Sequence, residues 1–96
     1  MALVLGIPEG RSFYVGDTKF TVTTIFHHAR FMVKKADPYM DETFEVTEQF
    51  KTEVLPGVFL QAGKKNGTLA TVAIEAPRNI KILRDKLYER ASDSNH

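Results

Sequence analysis

The side chains best suited to chemistry in this sequence are basic, and they lie close together near the C-terminus. Between residues 77 and 90, five bases stand against the two acids Asp85 and Glu89. An arginine at the end of a strand can direct two donors onto the edge of a guanine, and the pattern predicts this role for Arg84. The bases around it can hold phosphates and so position RNA without reading its sequence; these are Arg78, Lys81 and Lys86. The alternative is a solvated face in which Arg84 pairs with an acid such as Glu75.

The middle of the chain has the opposite charge. Residues 37–53 contain six acids against one base, Lys51. The acids lack the spacing of a calcium loop, which indicates a solvated segment. His27 and His28 are adjacent, so a strand would direct them to opposite faces, where they cannot easily chelate one metal.

Enzymatic motifs are missing from the sequence. It has no Gly-rich phosphate loop, no nucleophile elbow and no two-histidine metal motif. We therefore expect a protein that is not an enzyme and that needs neither a cofactor nor a metal.

Composition indicates one ordinary globular domain. The chain has 96 residues, of which 43% are hydrophobic and 26% charged, and it has no cysteine and a net charge of +1. The apolar stretch at residues 1–7 lacks a basic region and is too short for a signal peptide or a membrane span. We expect a cytoplasmic protein with no membrane partner. Because so small a chain buries a limited share of its surface, a homodimer is also expected.

Alternating apolar residues and turn residues predict a mainly β fold. Strands are predicted at Ala2–Ile7, Ser12–Val15 and residues 20–26, 58–61, 71–75 and 80–82. The strand at 20–26 either continues to residue 33 or turns back near His28 and Ala29. From Arg84 onward, apolar spacing changes to i, i+4 and i+7, which predicts a short C-terminal helix.

The middle segment fits two structures. Asp37 and Pro38 are typical of a helix start, with aspartate as N-cap and proline at the first helical position. Apolar residues between 40 and 54 would share one side of that helix, but they also occupy even positions with polar residues between them. Thr43, Phe44 and Val46 favour the strand.

The segment at residues 71–90 resembles the carbon storage regulator (CsrA/RsmA) family of translational repressors. That family has the same order of apolar strand, Ala-Pro turn, alternating strand, arginine and short helix. The matching residues are Ile74, Ala76, Pro77, Ile80, Ile82, Arg84, Leu87, Tyr88 and Arg90. A weaker likeness near the N-terminus involves residues 3–5, 10–12, 16–17 and 21–23.

The resemblance implies an interleaved antiparallel β-sheet homodimer with a short C-terminal helix. It implies an RNA-binding post-transcriptional regulator that recognises GGA-containing mRNA leaders and is opposed by small regulatory RNAs. Leu5 and Arg84 match family residues that contact RNA, with Leu5 belonging to the partner subunit's first strand. The alternative is a dimeric protein-interaction module on the same scaffold, indicated if Phe44, Phe50 and Phe59 prove exposed.

Two departures from the family bear on this reading. Residues 34–66 take the place of a tight turn, so we expect an insertion that is dispensable for the core fold but not for function, and that offers a surface for a possible protein partner. Ile7 and Pro8 stand where the family has a basic pair. Either lysines of the insertion replace the lost charge, or RNA binding is weakened or altered; the candidates are Lys34, Lys35, Lys64 and Lys65.

Overall fold

The computed structural model describes residues 2–63 and 69–84, which form nine strands and no helix. The strands are β1 Ala2–Ile7, β2 Ser12–Val15, β3 Thr18–His27, β4 Arg30–Lys35, β5 Glu42–Thr47, β6 Thr52–Leu55, β7 Val58–Ala62, β8 Ala70–Glu75 and β9 Ile82–Arg84. The mainly β fold class is confirmed. Arg84, where the predicted C-terminal helix begins, is instead the last residue of β9, and the rest of that predicted helix lies outside the described residues.

The strands form two antiparallel sheets. Sheet A has the order β1-β8-β7-β6, and sheet B has the order β5-β4-β3-β2-β9. The chain passes from one sheet to the other after β1, after β5 and after β8. Within this one chain, β1 pairs with β8 and β2 pairs with β9.

A single hydrophobic core is built from both sheets. Alternate residues of each strand face it, as the period of two requires. Its largest side chains from sheet B are Phe13, Phe20 and Phe31, and those from sheet A include Ile7, Leu60 and Ile74. The rings of Phe13 and Phe20 stack with centroids 5.4 Å apart. Each such side chain stabilises the fold by about 1.5–3 kcal/mol through removal from water.

Short turns set the hairpin registers. Gly16, at φ 62°, and Asp17 connect Val15 to Thr18. Pro56 is followed by Gly57 at φ 76°, the combination that a type II turn favours. His27 pairs with Arg30 across His28 and Ala29, so the hairpin alternative is confirmed and the segment forms β3 and β4.

The supposed insertion at residues 34–66 belongs to the fold. β5 joins sheet B, while β6 and β7 join sheet A. Five of its side chains are buried in the common core: Val46, Val54, Val58, Leu60 and Ala62. The strand alternative was right for this segment, with a break between β5 and β6. A dispensable surface loop does not fit the structure, because the core is incomplete without these residues.

Asp37 accepts hydrogen bonds as a helix cap does, yet no helix follows. Its carboxylate accepts from the backbone N–H of Tyr39 at 2.9 Å and of Met40 at 3.3 Å. These two donors hold the pKa of Asp37 below its ordinary value. The chain then enters β5, so the cap motif here shapes a turn.

Candidate nucleic-acid interface

The predicted basic segment begins at the turn between β8 and β9. The N–H of Ile80 donates to the carbonyl of Pro77 at 3.1 Å, which closes a four-residue turn with Arg78 and Asn79 at its tip. Both tip side chains are exposed. Ile80 packs against the core and so anchors the turn that presents Arg78.

Lys81 is held by its backbone and leaves its side chain in solvent. Its carbonyl accepts a 2.7 Å hydrogen bond from the N–H of Gly16. This bond ties the segment to the β2–β3 turn, and the exposed ammonium remains outside.

Arg84 is the last residue of β9 and lies opposite Phe13 of β2. Its side chain is exposed at the edge of sheet B. β9 rises about 3.3 Å per residue, so Arg84 lies about 10 Å along the chain from Lys81. Arg78 in the turn, Lys81 directly after it and Arg84 at the end of β9 therefore follow one another along one exposed stretch of chain. Lys86, the fourth predicted base, lies outside the described residues.

Acidic partners for these three side chains are missing from the part of the chain that the structure describes. The ion pairs there use other cations: Arg30 with Glu45, Lys34 with Asp41, Lys35 with Glu42 and Lys51 with Glu75. The suggested pairing of Arg84 with Glu75 is thus replaced by the Lys51–Glu75 pair at 2.7 Å. The Lys51 ammonium holds the pKa of Glu75 below its ordinary value.

Leu5 does not join the basic segment at the surface. Its side chain is 8% exposed and packs in the core from β1. The sequence could not reveal this, because β1 is apolar at every position and alternation therefore does not say which side faces inward.

Lys34 and Lys35 are the described candidates for replacing the lost basic pair, but both form ion pairs with acids of their own region. Lys35 is only 14% exposed; its ammonium donates to the Val54 carbonyl at 3.2 Å and lies 3.4 Å from Glu42. It thereby links β4 of sheet B to β6 of sheet A. Lys34 is half-buried, and its ammonium lies 3.8 Å from Asp41. Lys64 and Lys65 lie outside the described residues.

The histidine pair has a local structural role. Nδ1 of His27 accepts a hydrogen bond from the N–H of Ala29 at 3.2 Å, which caps the β3–β4 turn. The rings of His27 and His28 meet edge to face with centroids 5.6 Å apart. Residues 2–63 and 69–84 contain no cluster of three metal-ligating side chains.

Sequence reasoning missed a cavity on the outer face of sheet A. It has a volume of about 240 Å³, and its lining residues are Lys51, Phe59, Gln61, Ala73, Ile74 and Glu75. The lining combines strands β7 and β8 with Lys51, a residue near β6. Its members are far apart in the sequence, so alternation within one strand gave no signal of it.

Among the described residues there is no apolar helix of membrane-spanning length. No protein-family model, curated protein or solved structure matches the chain.

Proposed function

We propose that this protein is a cytoplasmic RNA-binding regulator that recognises GGA-containing mRNA leaders and represses their translation. Arg84 reads a guanine edge, while Arg78 and Lys81 hold phosphates. Lys86 would add a further phosphate contact. This function needs no cofactor and no reaction, and it includes small regulatory RNAs as competing ligands.

One observation carries this proposal. Arg78, Lys81 and Arg84 are exposed on one turn and one edge strand, with no acidic partner in the described part of the chain. Net charge is only +1, so a local group of unneutralised cations is what an RNA site requires here. The resemblance to carbon storage regulators supplies the GGA preference and the expectation of a homodimer.

A gel-shift titration tests this function. Wild-type protein is titrated against a GGA hairpin and against the same hairpin with CCA, at one stated salt concentration. We expect tighter binding of the GGA hairpin, and we expect Arg84→Ala to lose about 1–3 kcal/mol of affinity for it. Equal affinity of the wild type for the two hairpins would rule out sequence-specific recognition of GGA.

The second candidate is a protein-interaction module, and exposed aromatic residues favour it. Phe50 is 68% exposed between β5 and β6. Tyr39 and Met40 are also exposed, in the β4–β5 connection. Phe44 and Phe59 do not add to this surface, because both are half-buried.

Phe50→Ser distinguishes the two candidates. It should leave the RNA titration unchanged, since Phe50 is not part of the basic segment. Under the interaction reading, the same variant should abolish capture of a protein partner that wild type retains, because exposed aromatics dominate such contacts.

A further inference from the structure

Four strands lie at sheet edges within the described residues: β1 and β6 in sheet A, and β5 and β9 in sheet B. An edge strand presents unpaired backbone N–H and C=O groups, and it invites pairing with another strand unless something blocks it. Blocking devices include short length, charge, proline and bulges.

Three of the four edges carry such devices. β9 has only three residues. β6 has four residues and a register shift between Glu53 and Leu55. β5 carries Glu42 and Glu45.

β1 carries none of them. Its six residues, ALVLGI, include no charge and no proline. It pairs with β8 in unbroken register from Ala2 to Ile7, so no bulge twists it away. Leu3 is 36% exposed and Val4 is 59% exposed. Every second residue of an antiparallel edge strand directs its N–H and C=O away from its neighbour, so β1 offers backbone partners along its length.

We propose that β1 pairs antiparallel with β1 of a second copy of this chain, about a two-fold axis at Val4. The two four-stranded sheets A then form one continuous sheet across the dimer. An axis through a residue keeps the core faces of both copies on the same side, whereas a pairing register shifted by one residue would exchange them. Val4 is chosen because it lies near the middle of β1 and is more exposed than Leu3.

The choice of a second copy as the partner rests on the absence of charge in β1 and on the apolar side chains beside it. β1 has no charged side chain, so two copies meet without like-charge repulsion. Val4 lies opposite Ala73 of β8, and the two-fold axis brings the outer apolar strips of both copies together. By contrast, residues 85–96 of the same chain carry five charges in twelve positions, a poor match to an apolar edge. The inference does not depend on RNA binding, because the basic segment lies on the turn after β8 and on sheet B.

Light scattering on the full chain tests the edge through two matched variants. Wild type should be a dimer at micromolar concentration. Val4→Lys should raise the dimer dissociation constant about tenfold or more, because it places like charges opposite each other on an exposed position. Thr43→Lys, an exposed site on the edge strand β5, should leave the dimer intact. A cooperative thermal transition and an unchanged far-ultraviolet circular dichroism spectrum would show that Val4→Lys remains folded, although its melting temperature should fall because dimerisation stabilises the wild type.

Cross-linking tests the register. The chain has no cysteine, so Val4→Cys introduces a single thiol. Under mild oxidation it should form a disulfide dimer much faster than Thr43→Cys, since position 4 faces its own counterpart. A monomeric wild type overturns the proposal. Protection of the β1 amides from hydrogen exchange would not change that conclusion, because a segment of the same chain could cover the edge. A dimer that survives Val4→Lys and does not favour the Val4→Cys disulfide also overturns it and assigns the contact to another surface.

Discussion

Two groups of cations in this molecule have different surroundings. Those of strand β4 meet carboxylates: Arg30 lies 2.8 Å from Glu45, and Lys35 contacts Glu42 and the Val54 carbonyl. Those at the β8–β9 connection are exposed without an acidic partner among residues 2–63 and 69–84. The same residue types therefore pair with carboxylates in one region and lie exposed, with no acidic partner among the described residues, in the other. Exposed cations with no partner add little to stability, so the second group is the better candidate for binding.

The largest expected effect comes from removing the middle segment. Replacing residues 35–65 with a Gly-Asn turn deletes β5, β6 and β7 together with their buried side chains. We expect no cooperative unfolding transition in circular dichroism, because Val46, Val58 and Leu60 leave the core. A folded product would show that this segment is peripheral after all.

A smaller loss of stability is expected from Lys35→Ala. It leaves the Val54 carbonyl without its donor at the junction of the two sheets, which should lower the free energy of unfolding by about 1–3 kcal/mol. Urea denaturation measures this change, and Lys35→Met separates the lost donor from the lost packing.

Lys81→Ala is the matched control from the other group of cations, and its unfolding free energy should change by less than about 0.5 kcal/mol. A comparable loss in Lys81→Ala would erase the distinction between the two groups.

RNA titrations should show different roles for the exposed cations Lys81 and Arg84. Lys81→Ala should weaken GGA and CCA hairpins alike and reduce the slope of log affinity against log salt by about 1. Arg84→Lys should recover only part of the GGA preference, because an ammonium cannot replace the guanidinium fork. Titrations at several salt concentrations measure both. If Arg84→Ala prefers the GGA hairpin as strongly as the wild type does, Arg84 is not part of the RNA site.

The smallest effect concerns two carboxylates whose pKa values are lowered by different groups. Lys51 lowers that of Glu75, whereas the N–H groups of Tyr39 and Met40 lower that of Asp37. In Lys51→Met, an NMR titration should show a higher pKa for Glu75 and an unchanged pKa for Asp37.

The lowered pKa of Glu75 determines how the stability of the protein depends on pH. A folded-state pKa below the unfolded one stabilises the protein above the unfolded pKa, and this contribution is lost as the pH falls through the folded value. The loss of unfolding free energy on acidification should therefore be smaller in Lys51→Met than in wild type. An unchanged Glu75 titration in that variant would assign its lowered pKa to another group.

The sequence by itself determined most of the strands and turns. Alternation and turn residues are local signals, so β1 and β2 were predicted with their bounds, and the Gly16–Asp17 and His28–Ala29 turns were recognised. The course of the basic segment was also predictable, because Arg78, Lys81 and Arg84 are close in the chain and one turn and one short strand follow from local signals.

Tertiary structure alone decided which strands share a sheet and which side chains face the core. Alternation shows that one side of a strand is buried but does not identify its neighbours, so the place of residues 34–66 in both sheets was not visible. In β1 every side chain is apolar, and only packing against sheet B chose Leu5 for the interior. The Lys51–Glu75 pair likewise joins residues 24 positions apart, a contact that exists only once sheet A has formed.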